Sequence, residues 1–221
     1  MQYITPKFVV FFSLITVFTL TSSCHQEELM NEVLVYENNF SSPASLSGIE
    51  NGKLMVFEED TVLGNYNSEE VNIAVSGLPG HNTVRVVIEL LTHDSWDGNN
   101  TGVSGPDYWF MEVGGVQILN TTFSNSPCSS SYCLFQSYPD QYGRHNDPKT
   151  GALETDLPGL CQYADTPNWT TKYRISKLVS HTGPSLTIKC GDQLLQENAP
   201  DPLCDESWSI SKIEVSALSV K

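Results

Sequence analysis

Short stretches of this chain alternate apolar and polar residues or gather β-branched ones, the signatures of strands with one or two buried faces. They are Val33–Phe40, Lys53–Glu58, Val71–Val75, Thr83–Leu91, Trp109–Val113, Val116–Leu119, Lys172–Val179, Ser185–Cys190 and Ile210–Leu218. Gly77-Leu78-Pro79-Gly80 is a turn signal, and Gly114-Gly115 supplies the positive φ of a tight hairpin. No stretch carries an amphipathic helix of useful length, and no internal repeat is visible. The pattern predicts an all-β fold: an antiparallel β-sandwich, of jelly-roll type, with the first strand beside the last. Between residues 121 and 168 the periodicity disappears while three cysteines, several prolines and Tyr138, Tyr142 and Tyr163 accumulate. So long an irregular stretch predicts a loop insertion with a function or a covalent staple.

With 221 residues and 39% hydrophobic content, the chain has material for one core, so residues 33–221 are read as a single domain. Residues 1–23 differ in kind: Lys7 precedes the apolar run Phe8–Leu20, and Thr21, Ser22 and Ser23 lead into Cys24. The run is shorter than the ~20 residues of a membrane-spanning helix and reads as a signal peptide. Leu20, Ser22, Ser23 and Cys24 resemble the lipobox of bacterial lipoproteins. That resemblance implies a Cys24 carrying several acyl chains of the palmitate kind, and hence a lipid-anchored protein of the outer membrane or cell surface. The alternative is an ordinary secretory leader followed by an unrelated cysteine. His25-Gln26-Glu27-Glu28 is similar to the export signal of surface lipoproteins in Bacteroidetes-type bacteria, and residues 24–32 read as an acidic tether.

The formal charge of −15 becomes −16 once a leader containing only Lys7 is removed. The charge thereby argues against nucleic acid as a partner, because phosphate binding needs basic patches. Divalent cations and neutral sugars fit an acidic surface, although such a surface also serves solubility alone. Besides Cys24 there are Cys128, Cys133, Cys161, Cys190 and Cys204. An oxidising compartment favours disulfides. Cys128 with Cys133 and Cys190 with Cys204 are the simplest pairs, and Cys161 is then left over or pairs with Cys128 or Cys133.

Chemistry concentrates in His93-Asp94-Ser95-Trp96-Asp97-Gly98-Asn99-Asn100, where hard oxygen donors crowd round a glycine that lets the backbone turn. Gly105-Pro106-Asp107-Tyr108-Trp109 and Asp205-Glu206-Ser207-Trp208 repeat the pairing of acid and tryptophan. We therefore expect Asp94, Asp97, Asn99, Asp107, Asp205 and Glu206 to supply a calcium ion, which takes roughly six to eight oxygens. The spacing is not that of an EF-hand, and a polar turn network at strand ends is the alternative. Trp96 and Trp208 are expected in the core. Trp109, Trp169, Tyr138 and Tyr142, with Asn100, are expected to bind ligand: a sugar ring offers an apolar face and a hydroxyl rim, which aromatics beside amides suit. Asn99, Asp140, Asn146 and Asp147 are further hydrogen-bonding candidates.

His81, His93 and His181 are candidates for a transition metal or for buried hydrogen bonds. Asp94 and Glu206 are the pair a glycosidase would use. No nucleophile elbow or His-Glu-x-x-His motif occurs. Sequons at Asn39, Asn99, Asn120 and Asn168 carry little weight after a bacterial leader, and Asp60-Thr61-Val62 resembles an O-glycosylation motif of Bacteroidetes.

Taken in order, Leu78-Pro79-Gly80-His81, Val84-Arg85-Val86, His93–Gly98, Asp107-Tyr108-Trp109, Val113-Gly114-Gly115, His181, Ser185–Ile188 and Asp205–Ile210 resemble a jelly-roll module with a galactose-binding-like fold, across roughly residues 33–219. That family implies a fold and an extracellular place and only hints at a ligand. The expected function is a membrane-anchored binding lipoprotein for carbohydrate or another extracellular ligand, with calcium stiffening its loop. The other readings are a glycan-degrading enzyme, and an adhesion or assembly protein gripping a surface protein through the Cys-rich insertion.

Overall fold

The computed structural model describes residues 28–102, 105–194 and 199–221. The leader and Cys24 lie outside the described residues. Strands β1 (Leu29–Asn38), β3 (Leu54–Phe57), β4 (Asp60–Tyr66), β6 (Thr83–Asp94), β9 (Ala152–Pro158), β10 (Pro167–Ser180) and β12 (Glu206–Val220) form one sheet. The facing sheet holds β2 (Ile49–Glu50), β5 (Glu70–Ser76), β7 (Tyr108–Val113), β8 (Val116–Thr122) and β11 (Ser185–Gln193). Every pairing is antiparallel.

The orders β4-β12-β6-β10 and β5-β11-β7-β8 are those of a jelly roll, in which the chain repeatedly crosses from one sheet to the other. The expected neighbourhood of first and last strands is present, with Val33 opposite Ala217. Two details differ from the sequence reading. Leu29–Glu32, assigned to the tether, already belongs to β1. The insertion is not wholly irregular either, for β9 lies within it and edges the larger sheet through pairing with β10.

Alternation places the core between the sheets. In β5 the buried residues are Val71, Ile73 and Val75, and in β7 Trp109, Met111 and Val113 join the same core while Phe110 is buried outside it. β6, central in its sheet, is buried along nearly its whole length. Near one end of the sandwich the core becomes aromatic: Trp96 and Trp109 meet Phe123 edge-on at 6.0 and 6.3 Å, and Trp109 meets Trp208 at 6.1 Å and 85°. These contacts favour the quadrupole geometry of edge-to-face rings. Two indoles find acceptors, Trp96 Nε1 donating to Ser207 O at 2.9 Å and Trp208 Nε1 to Asp192 at 2.6 Å. The aromatic floor supports the loops that matter next, because β6, β8 and β9 end there while β7, β10 and β12 begin there.

Candidate functional site: an acidic rim

β6 ends on Asp94 and β12 begins on Glu206, and the two residues are Cα partners across the adjacent strands. Asp107, just before β7, turns its carboxylate back onto the backbone N–H of Asp97 and donates its own N–H to Gly98 O at 3.0 Å. The Ser95 hydroxyl donates to Asp205, fastening the turn before β12 to the loop after β6. Acids from three separated stretches are thus brought to one end of the sandwich. Burial is extreme: Asp94 and Asp107 are 0% exposed and Glu206 1%.

Asp94 Oδ1 accepts from Leu160 N at 2.8 Å, while Asp94 Oδ2 has no donor. The Asp107 and Glu206 side chains are hydrogen-bond neighbours, a contact that is a bond only if one carboxyl is protonated; with both ionised, Asp107 Oδ1 has no donor. Burial is the largest cause raising all three acids. Asp94 is pushed up to about 7, with the Leu160 N–H opposing and the Asp205 charge adding. Asp107 and Glu206 are held well above the usual carboxylate range, Glu206 also by the charges of Asp107, Asp97 and Asp205.

Buried carboxylates with oxygens lacking donors are costly as anions unless a proton or a cation joins them. The donor set, all hard oxygen, fits calcium and not a thiophilic metal. Asp94, Asp97, Asp107, Asp205 and Glu206 are the acids at that end of the sandwich, and their ligand atoms are not among those that meet in threes within 4.8 Å. Among the described residues, the group with three ligand atoms mutually within 4.8 Å is Cys128, Cys133 and Asp147. Its sulfurs are already joined to each other, so it offers no metal site.

Asn99 is not part of the rim. Its Oδ1 accepts from Thr122 and Ser137 hydroxyls at 2.5 and 2.8 Å, and its Nδ2 donates to Arg144 O, so it anchors the insertion. Trp109 and Tyr138 are no platform: both are buried, Trp109 completely and Tyr138 among Phe123 and Tyr173. Both face inward because this wall of the sandwich needs large rings to fill it. Tyr142 is exposed and packs edge-on against Tyr108 at 4.7 Å. Asn100 lines a small pocket with Tyr132, Phe135 and His145. Asn146 is spent on Ser137 O, Tyr138 O and Asp140.

Trp169 does face a cavity and stacks on Tyr163 at 3.8 Å and 9°. His81 and His181 meet at 2.8 Å at the opposite end, whereas His93 lies within the sheet between Thr170 and Ser209, so the three do not converge.

The cysteine pairing also departs from the simplest expectation. Cys128–Cys133 forms, but Cys204 joins Cys161, and Cys190 is a buried free thiol. Cys190 points between the sheets from β11, while the turns Cys161–Tyr163 and Pro202–Cys204 lie together at the rim. Sequence reasoning missed two buried organisers. Asn125 donates to Thr92 O and Asp94 O at 2.9 Å and to Trp169 O at 3.3 Å. Gln136 bonds Tyr138 O and Thr150 O at 3.0 Å and accepts from Ser124 N and Lys149 N. A lone amide in an irregular stretch carries no periodic signal that would single it out.

No family model matches this chain, and no curated protein is significantly similar in sequence. Among solved structures it is similar to dimeric latent PorU from Porphyromonas gingivalis, at 11% identity and TM-score 0.43, covering 87% of this chain and 13% of that one. A family 35 carbohydrate binding module from Clostridium thermocellum matches at 10% identity and TM-score 0.37, over 84% of this chain and 97% of the other. The Ca2+/Man3GlcNAc-bound exoplasmic/lumenal domain of VIP36 matches at 12% and 0.34, over 82% and 89%. At these scores none of them transfers a ligand or an activity.

Proposed function

We propose that this chain is an extracytoplasmic binding lipoprotein, anchored through Cys24 at the outer membrane or cell surface, whose β-sandwich holds a carbohydrate without transforming it and whose acidic rim takes a calcium ion. The observation that carries the reading is the rim itself: buried carboxylates from three separated stretches, two of their oxygens without donors, at the end where the loops gather. A divalent cation there would replace mutual repulsion with attraction and hold the loops in one arrangement. Burial also argues against the glycosidase reading. Asp94 and Glu206 are strand neighbours enclosed by protein, and the Leu160 N–H already occupies one oxygen of Asp94. A glycosidic bond and its water have no access between them.

A glycan array run with calcium and with EDTA tests the proposal, read both as retention and as released product. Calcium-dependent retention without product is the expected result. Product release overturns the non-catalytic part, retention indifferent to EDTA overturns the role of calcium, and no retention on any glycan overturns carbohydrate as the ligand.

A further inference from the structure

Behind the rim, on the insertion side, lies a cavity of about 520 Å3, within the size range of small-molecule sites. One part of its wall is C–H surface: Trp169 with Pro127, Pro148 and Pro167, residues whose rings present no backbone donor where the proline nitrogens stand. The other part is polar, with Asp147, Lys149 and Asn168. An apolar face set against a mixed donor and acceptor rim complements a pyranose ring, which is itself C–H on one side and hydroxyl at its edge.

The wall is built rather than incidental. Lys149 and Asn168 both hold left-handed backbones, φ 63° and 73°, and are joined by a Lys149 Nζ to Asn168 O bond of 2.6 Å. Such strain persists only where surrounding bonds over-determine it. Here Gln136 accepts the Lys149 N–H at 2.8 Å from inside the core, and the Cys128–Cys133 link closes the neighbouring turn.

The cavity wall is also tied to the rim by hydrogen bonds. Asn125 lies at its wall and bonds both Trp169 O and Asp94 O. Tyr163 stacks on Trp169, the aromatic part of the cavity wall, at 3.8 Å and 9°. Gly159 fits this junction because a Cβ there would meet Tyr163 Cβ at 2.5 Å, Asp94 Oδ1 at 2.6 Å and Trp169 Cβ at 2.8 Å.

We propose that this cavity seats one neutral sugar ring against Trp169, and that Asn125 and Tyr163, as positioning residues, make its shape depend on the ion at the rim. The inference rests on the carbohydrate reading above and adds to it a place and a mechanism: the ion need not touch the sugar to control its binding.

Tryptophan fluorescence offers a direct readout, since Trp96, Trp109 and Trp208 are fully buried while Trp169 is partly exposed. The full chain is titrated with the methyl glycosides of glucose, galactose, mannose, xylose and N-acetylglucosamine, with calcium and with EDTA. At least one glycoside is expected to change the emission and shield it from acrylamide, with affinity falling on the order of tenfold in EDTA. In W169F the response vanishes and calorimetric affinity drops on the order of tenfold or more, while the calcium shift in melting temperature is kept, which shows the variant is folded. D147N, at an exposed wall position, weakens binding severalfold with unchanged melting. Retention on polymeric glycans with W169F binding as wild type does, or glycoside affinity indifferent to EDTA, overturns the inference and leaves the carbohydrate reading standing. Failure of the wild type to bind any glycoside or polymer sinks that reading itself.

Discussion

Replacing Asp94 by Asn tests the acidic rim most directly, because the substitution keeps shape and backbone preference while removing one charge. Asp94 has φ 66°, a conformation that Asn tolerates at least as well as Asp, and an amide oxygen can still accept from Leu160 N. In the metal-free protein the Asp94 carboxyl is raised from 3.8 to about 7, chiefly by burial. The sign follows from linkage. Between these two values the folded state keeps a proton that the unfolded state has lost, so stability falls as pH rises through that window and levels off above about 7. The full shift is worth up to about 4 kcal/mol at 1.36 kcal/mol per unit. Metal-free D94N is therefore expected to be more stable than wild type at pH 7.5, by up to roughly 10 °C in melting temperature for a domain of this size. The gap closes below about pH 4, where the wild-type carboxyl is protonated in both states.

Calcium at a hundredfold excess over its Kd adds about 2.7 kcal/mol to wild type. D94N, lacking a charged ligand, gains much less, so calcium narrows the gap between the two proteins. Taking the difference between wild type and D94N cancels the titration of groups too distant to feel the Asp94 charge. The assay is differential scanning calorimetry from pH 4 to 8 with EDTA and with calcium. A D94N protein less stable than wild type at pH 7.5 without metal, or a difference that ignores pH, refutes the reasoning.

Three further outcomes follow from the same geometry. The Cys161–Cys204 disulfide spans 43 residues and joins the two turns beside the rim, so C161S/C204S should cost about 4 kcal/mol in thermal denaturation and weaken calcium binding in titration calorimetry. His93 is pushed down to about 3 by complete burial, so the unfolded state takes up a proton first and stability drops as pH falls below about 6.5. H93Q should flatten that acid limb, and an unchanged slope in urea titrations at pH 4 to 7 would contradict it. G159A forces a methyl against three neighbours at 2.5 to 2.8 Å and should destabilise by about 1–3 kcal/mol while lowering calcium affinity. Wild-type behaviour in both measurements would show the junction to be softer than its contacts imply.

What could be read from the chain divides along a physical line. Strands with one buried face write that face into the sequence, and so β5, β7 and β10 were legible, as was the neighbourhood of β1 and β12. β9 was not, because an edge strand exposed through Leu153–Asp156 has no apolar face to display. β4 was missed because Asp60, Gly64 and Asn65 resemble turn residues although Val62, Leu63 and Tyr66 are buried. Trp109 was misjudged for a reason that parity exposes: it shares a face with Met111 and Val113, and a residue in step with two buried neighbours is buried as well.

The rim was visible as composition and hidden as geometry. Asp94, Asp107 and Glu206 each stand at a strand boundary, which sequence patterns locate to within a few residues, and hard oxygens crowded at such places are a chemical signal in themselves. Their meeting depends on register, since moving β12 one residue against β6 would send Glu206 to the other face of the sheet and place Ser207 opposite Asp94. Register is set by the whole aromatic floor, including Trp208 beside Tyr66 and Trp109, and no local spacing encodes that. The same reasoning explains the cysteines. Cys161 and Cys204 are brought together only because the turns that carry them flank strands paired through β6, whereas Cys190, nearer to Cys204 in sequence, is turned into the core by the alternation of β11. The rim's chemistry is therefore local and its assembly global, which makes substitutions in the floor, far from any carboxylate, as able to disturb an ion there as substitutions among the acids themselves.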